Sequence, residues 1–74
     1  MKNGHAPKYE IRIYWDNDDK IFVADVPDLA GCMAHGNTQI EAVQNVSTAI
    51  DLWLETALEF GDKIPAPRRH QLAA

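Results

Sequence analysis

A chain of 74 residues holds one domain with a small core, so its stability margin is narrow and self-association as a homodimer or homotetramer is expected. Its composition, 46% hydrophobic and 24% charged, is that of a folded globular protein rather than a disordered tail. The net charge of −4 hides a stronger asymmetry: residues 9–62 carry all eleven acids against only Arg12 and Lys20, a net −9, which disfavours a phosphate backbone as partner and favours a cationic protein.

A plainer reading of the same acids is that they keep a small protein soluble. The other basic residues, Lys2, Lys8, Lys63, Arg68 and Arg69, lie at the two ends and form no basic stripe with interleaved aromatics. Direct nucleic-acid binding is therefore not expected. Met1 to Lys8 lacks the apolar run of a secretion signal, and no stretch approaches the ~20 apolar residues of a membrane span, so a cytoplasmic protein is expected.

Lys8 to Trp15 alternates, with Tyr9, Ile11, Ile13 and Trp15 on one side and Glu10, Arg12 and Tyr14 on the other, which predicts a half-buried strand. Asp16 to Asp19 follows as a turn whose carboxylates can accept nearby backbone amides. It lacks the spacing and the closing glutamate of a calcium loop, and no metal or other cofactor is expected.

Lys20 to Val26 predicts a return strand with apolar residues on both faces, Ile21 and Val23 against Phe22, Ala24 and Val26. The connection Pro27-Asp28-Leu29-Ala30-Gly31 comes next; Pro27 ends the strand, Asp28 caps its own turn, Gly31 supplies backbone freedom, and Leu29 is expected to fold back as an anchor. Cys32 to His35 predicts a short third strand closed by Gly36 and Asn37.

Thr38 to Gly61 is the longest periodic stretch. On a 100° wheel centred on Val46, the residues Ala42, Val43, Ala49, Ile50, Trp53, Leu54, Ala57 and Phe60 share one apolar face, while Glu41, Thr48, Asp51, Glu55, Glu59 and Asp62 take the opposite side. Thr38 and Glu41 form a capping-box signature in which the carboxylate would return to the Thr38 amide. Gly61 is the natural stop. The tail from Arg68 to Ala74 either adds a last edge strand containing His70 and Leu72 or frays, and residues 1–7 and 68–74 are expected to be flexible.

These elements predict an α+β domain, a three-stranded antiparallel meander followed by one helix packed on one face. The uncovered face, assigned Tyr14, Phe22, Ala24 and His35 with Met33, is the candidate surface for self-association. Glu41, Glu55 and Glu59 on the outer side of the helix are the candidate partner-binding residues. Catalysis finds little support. Cys32 is a lone cysteine with no base indicated beside it, and the histidines His5, His35 and His70 match no metal or catalytic spacing. A minimal nuclease reusing Asp25, Asp28 and His35 is the enzymatic alternative, and an oligomeric binding module with an unrelated protein or small-molecule partner is the other.

Taken together, Pro27-Asp28-Leu29-Ala30-Gly31-Cys32, then Gly36-Asn37-Thr38, then Glu41-Ala42 and the run Ala49 to Glu55, resemble the HicB-like antitoxin family from about Tyr9 to Pro67. The resemblance implies a partial ribonuclease-H-like fold without catalytic carboxylates. It also implies a non-enzymatic role, the neutralisation of a small basic HicA-type toxin that cuts messenger RNA. Many family members carry a further carboxy-terminal DNA-binding domain. Only seven residues follow Pro67 here, so no DNA-binding domain is expected.

Overall fold

The structure, a computed structural model, describes residues 9–67. The expected order is the one adopted: β1 (Arg12–Asp16), β2 (Ile21–Asp25), β3 (Met33–Gly36) and α1 (Gln39–Glu59), with the strands antiparallel in the order β1-β2-β3. The ends assigned as flexible, and the final strand containing His70 and Leu72, lie outside the described residues.

The first turn forms as its acids dictate. Asp16 Oδ1 accepts the amides of Asp18 at 3.0 Å and Asp19 at 3.2 Å, and Lys20 takes a left-handed φ of 56° to close the reversal. The register then pairs Asp16 with Ile21, Trp15 with Phe22, Tyr14 with Val23 and Ile13 with Ala24. On the other side Val23 pairs with His35, Ala24 with Ala34 and Asp25 with Met33.

Directly opposed residues point to the same side of a sheet, so this register decides the faces. Phe22 and Ala24 belong to the helix-covered side with Ile13, Trp15 and Ala34, which corrects their assignment to the uncovered face. Ala24 is fully buried in the core and Phe22 packs against it. The open face carries Arg12, Tyr14, Ile21, Val23, Asp25, Met33 and His35. Val23 is nearly buried there, with Tyr14 and His35 opposite it on either side.

The helix lies over β3 and β2 and barely reaches β1. Ile13 and Trp15 consequently stay half-exposed although they point to the helix side, and Trp15 meets Phe22 edge-on with ring centroids 5.0 Å apart. Ala42, Val46, Ile50 and Ala57 are the buried residues of α1, flanked by partly buried Ala49, Trp53 and Leu54. Phe60 departs from the predicted face, because the helix has run past the sheet by then and leaves it exposed.

Both helix ends are closed by local chemistry. The Glu41 amide donates to Thr38 Oγ1 at 3.0 Å, while the Glu41 carboxylate accepts from the Asn37 amide rather than the expected Thr38 amide. At the far end Gly61 N–H donates to the Leu58 carbonyl and Asp62 N–H to the Ala57 carbonyl, the paired bonds of a Schellman motif, with Gly61 at φ 71°.

The Pro27 to Cys32 connection plugs the end of the core. Leu29 N–H donates to the Val26 carbonyl and Cys32 N–H to the Leu29 carbonyl, which holds the loop in a tight arch and drives the Leu29 side chain inward. Leu29 and Cys32 are buried. Across the same end, Tyr9 donates its hydroxyl to the Pro65 carbonyl, and Trp53 Nε1 donates to the Ala30 carbonyl at 2.9 Å. Gly36 lies where β3 meets the start of α1; a Cβ built there would stand 2.5 Å from the Ala42 amide nitrogen and 2.8 Å from the Glu41 carbonyl carbon. Both are backbone and cannot step aside, so Gly36→Ala is expected to lower unfolding free energy by about 1–3 kcal/mol, read as a shift in the urea midpoint.

Candidate functional site

The outer face of α1 combines three observations. Asp51, Glu55 and Glu59 recur every fourth residue along one exposed row, Asp62 follows just past the cap, and no basic residue occupies the last turn. Like charges at this spacing repel by about 0.2–0.5 kcal/mol per pair, and acids near a helix C-terminus oppose the macrodipole. The row therefore weakens the isolated helix slightly. Glu41, at the other end, is partly occupied by the cap.

Exposed apolar residues border this acidic row on both sides, and the periodic reading passed over them. Leu52 is 63% exposed on one flank, with Ile40 and Leu58 about 70% exposed on the other. A wheel reading that asked which apolar residues fall outside the buried arc would have found them, since they lie roughly 120° from its centre.

On the Leu52 flank the helix and β3 leave a groove of about 430 Å³. Ala49, Trp53 and Thr56 line it from the helix, Gly31, Cys32 and Met33 from the sheet side, and Asp62 stands at one end. The Trp53 to Ala30 hydrogen bond fixes the indole that lines the groove against the loop. On the open sheet face, Tyr14 and Met33 are about half-exposed around Val23 and beside His35. Arg12 holds Asp25 there in a two-point contact at 2.9 and 3.0 Å, and the carboxylate keeps the guanidinium pKa raised, first through the hydrogen bond and then through its charge.

The residues considered for chemistry are not brought together. Cys32 lies in the core on the helix side, with its thiol pKa raised by burial, whereas the His35 side chain is on the opposite face. Asp25 is engaged by Arg12, and Asp28 is buried within the turn. Among the described residues no group of three or more His, Cys, Asp or Glu side chains could hold a metal ion.

A family model described as the HicB-like antitoxin of bacterial toxin–antitoxin systems matches residues 9–73. The chain belongs to the HicB-like antitoxin family. Curated relatives agree in part of their length. A UPF0150 protein of Synechocystis is 44% identical over 45 residues, covering 61% of this chain and 62% of that protein. A UPF0150 protein of Thermoplasma acidophilum is 34% identical over 65 residues, covering 88% and 93%. An uncharacterized 14.9 kDa protein of Haemophilus phage HP1 is 39% identical over 57 residues, and that match spans 41% of the phage protein. No solved structure matches significantly.

Membership makes the chain a non-enzymatic, protein-binding member of an antitoxin family. No helix among the described residues is long and apolar enough to cross a membrane. The quoted motif residues are architectural in the HicB-like fold: Leu29 and Cys32 fill the core, Gly31 takes a φ of 76°, Gly36 admits the helix backbone and Thr38 caps it.

The same core carries a pH response. Tyr9 has its pKa raised by burial and, secondarily, by the charge of Asp28, and Cys32 has its pKa raised by burial. Both are acids whose neutral form is favoured in the folded state, so their stabilisation is complete below the ordinary thiol and phenol ranges. It is lost as pH rises through the raised folded values. Thermal unfolding followed from pH 8 to 11 is expected to show a falling midpoint. In Tyr9→Phe the decline around pH 10 is expected to be smaller.

Proposed function

We propose that this HicB-like protein is an antitoxin that binds and occludes a small basic HicA-type ribonuclease, acting by stoichiometric contact and contributing no catalytic group of its own. The observation that carries the reading is the exposed row Asp51, Glu55 and Glu59, with no basic residue in the last turn, on a helix whose own electrostatics it opposes. An RNA-binding protein presents positive charge to its substrate, and an acidic helix of matching pitch competes for that surface. Glu55 and Glu59 are the principal partner contacts in this reading, with Glu41 contributing after its role in the cap.

The test uses the purified full chain, a HicA-type ribonuclease and a messenger RNA substrate. Cleavage is expected to fall to background at equimolar antitoxin. Undiminished cleavage in large molar excess would overturn the assignment.

The open sheet face favours a second property, self-association as a dimer or tetramer through Tyr14, Val23, Met33 and His35. Half-exposed Tyr14 and Met33 surrounding a nearly buried Val23 form an apolar surface away from the acidic row. Sedimentation of the full chain is expected to give a discrete oligomer that Tyr14→Glu disperses; a monomer at all concentrations would exclude it.

A further inference from the structure

We propose that the groove between the Met33 end of β3 and the second half of α1 seats an amphipathic, cationic segment of the partner protein. This deepens the antitoxin reading by naming where and what kind of segment binds. At about 430 Å³ the groove is large enough for apolar side chains of such a segment; exposed Leu52 and Thr56 border it on the helix beside Ala49 and Trp53, and Met33, whose side chain is on the open sheet face, borders it at the sheet edge.

Backbone groups are available at the same place. The Val26 amide bonds the Cys32 carbonyl, which sets the alternation of the ladder and turns the amide and carbonyl of Met33 and His35 outward from the sheet edge. The His35 carbonyl is already covered by Asn45 Nδ2 at 2.7 Å. Among the described residues the open stretch of edge is thus the one at Met33, where an extended segment can add as a strand and place every second side chain in the groove.

Charge selects the occupant. Asp62 stands at the end of the groove, Glu55 and Glu59 continue on the adjoining helix surface, the helix terminates there with its negative pole, and among the described residues no basic side chain lines the groove. A second copy of the chain would bring its own net −9 body against these acids, so the geometry favours a segment bearing lysine or arginine.

The experiment uses the full chain with Trp15→Phe, so that Trp53 alone reports. The probe is a synthetic peptide of alternating leucine and lysine, with a leucine and glutamate peptide as the opposite case. A saturable change in Trp53 emission with the lysine peptide is expected, weakened about 10-fold by Leu52→Ser with Thr56→Lys and unchanged by Leu58→Ser on the other flank. An equal response to the glutamate peptide, or no effect of the paired substitutions, overturns the proposal. So does a shift of the Leu52→Ser, Thr56→Lys chain to a smaller oligomer, since both residues lie away from the open sheet face and a second copy would then be the occupant.

The two readings fail separately. If the Leu52→Ser, Thr56→Lys chain inhibits the ribonuclease as well as the unmodified chain, the groove is wrong and the antitoxin role stands. If the chain captures the lysine peptide in the groove yet inhibits no HicA-type ribonuclease, the groove stands and the antitoxin role falls.

Discussion

Leu29→Ala is expected to leave much of the protein unfolded at room temperature. Leu29 is 1% exposed and, with Val46, is the largest fully buried side chain of the domain. It is presented by an arch whose backbone hydrogen bonds run from Val26 to Leu29 and from Leu29 to Cys32. Those bonds fix the loop, so the core cluster that Leu29 shares with Tyr9, Val26 and Ile50 closes only in part over the space the missing methyls vacate. Truncations of this kind remove about 2–5 kcal/mol, and a domain of 74 residues has little more than that to lose. Far-ultraviolet circular dichroism in urea measures it directly. Leu58→Ala, at a residue 68% exposed on the same helix that packs over this core, is expected to stay within about 0.5 kcal/mol of the unmodified chain. A wild-type midpoint for Leu29→Ala would mean that the loop merely covers the core.

Reversing two charges on α1 is expected to move stability and binding in opposite directions. In Glu55→Lys with Glu59→Lys the repulsive row is broken, Asp51 gains a lysine four residues along, and positive charge appears near the helix C-terminus, which together stabilise the free protein by a few tenths of a kcal/mol. Capture of a basic HicA-type ribonuclease is expected to weaken about 30-fold or more at low ionic strength, since two attractions are lost and two repulsions introduced. The opposed signs separate a contact residue from a structural one. Glu41→Gln offers the contrast, because its carboxylate accepts from the Asn37 amide at the helix start and its neutralisation is expected to weaken the fold itself.

How far the sequence carries depends on the element. The helix was readable almost to the residue, because its signals are local: a Thr38 hydroxyl three residues before Glu41, an apolar recurrence on one arc, and Gly61 at a position that needs a left-handed φ. Strand existence was readable for the same reason. Strand facing was not. Strand β2 carries apolar residues on both sides, so its own pattern cannot say whether Phe22 or Val23 meets the helix. That choice is made by the pairing of Asp16 with Ile21 across a turn whose length and left-handed Lys20 fix the register.

The acidic row was legible as spacing, but its setting was not. The position of α1 over β3 and β2 rather than across the whole sheet creates the groove beside Met33 and Leu52, and leaves Ile13 and Trp15 half-bare on the far side. Side-chain size along the contact sets that offset, with Ala34 and Gly36 on β3 letting the helix come close. Neither residue carries a signal for this in isolation. Asn45 illustrates the same limit: as a polar residue on a helix flank it is unremarked, and only the fold shows it covering the His35 carbonyl.

The most direct measurement is the dissociation constant of the full chain for a HicA-type ribonuclease across a series of ionic strengths, for the unmodified protein and for Glu55→Gln with Glu59→Gln. Affinity is expected to fall steeply with salt in the unmodified protein, and the neutralised variant is expected to bind more weakly with a shallower dependence, the two curves converging at high salt. Superimposable curves, or an affinity indifferent to salt in both proteins, would show that the outer face of α1 does not bring the partner in.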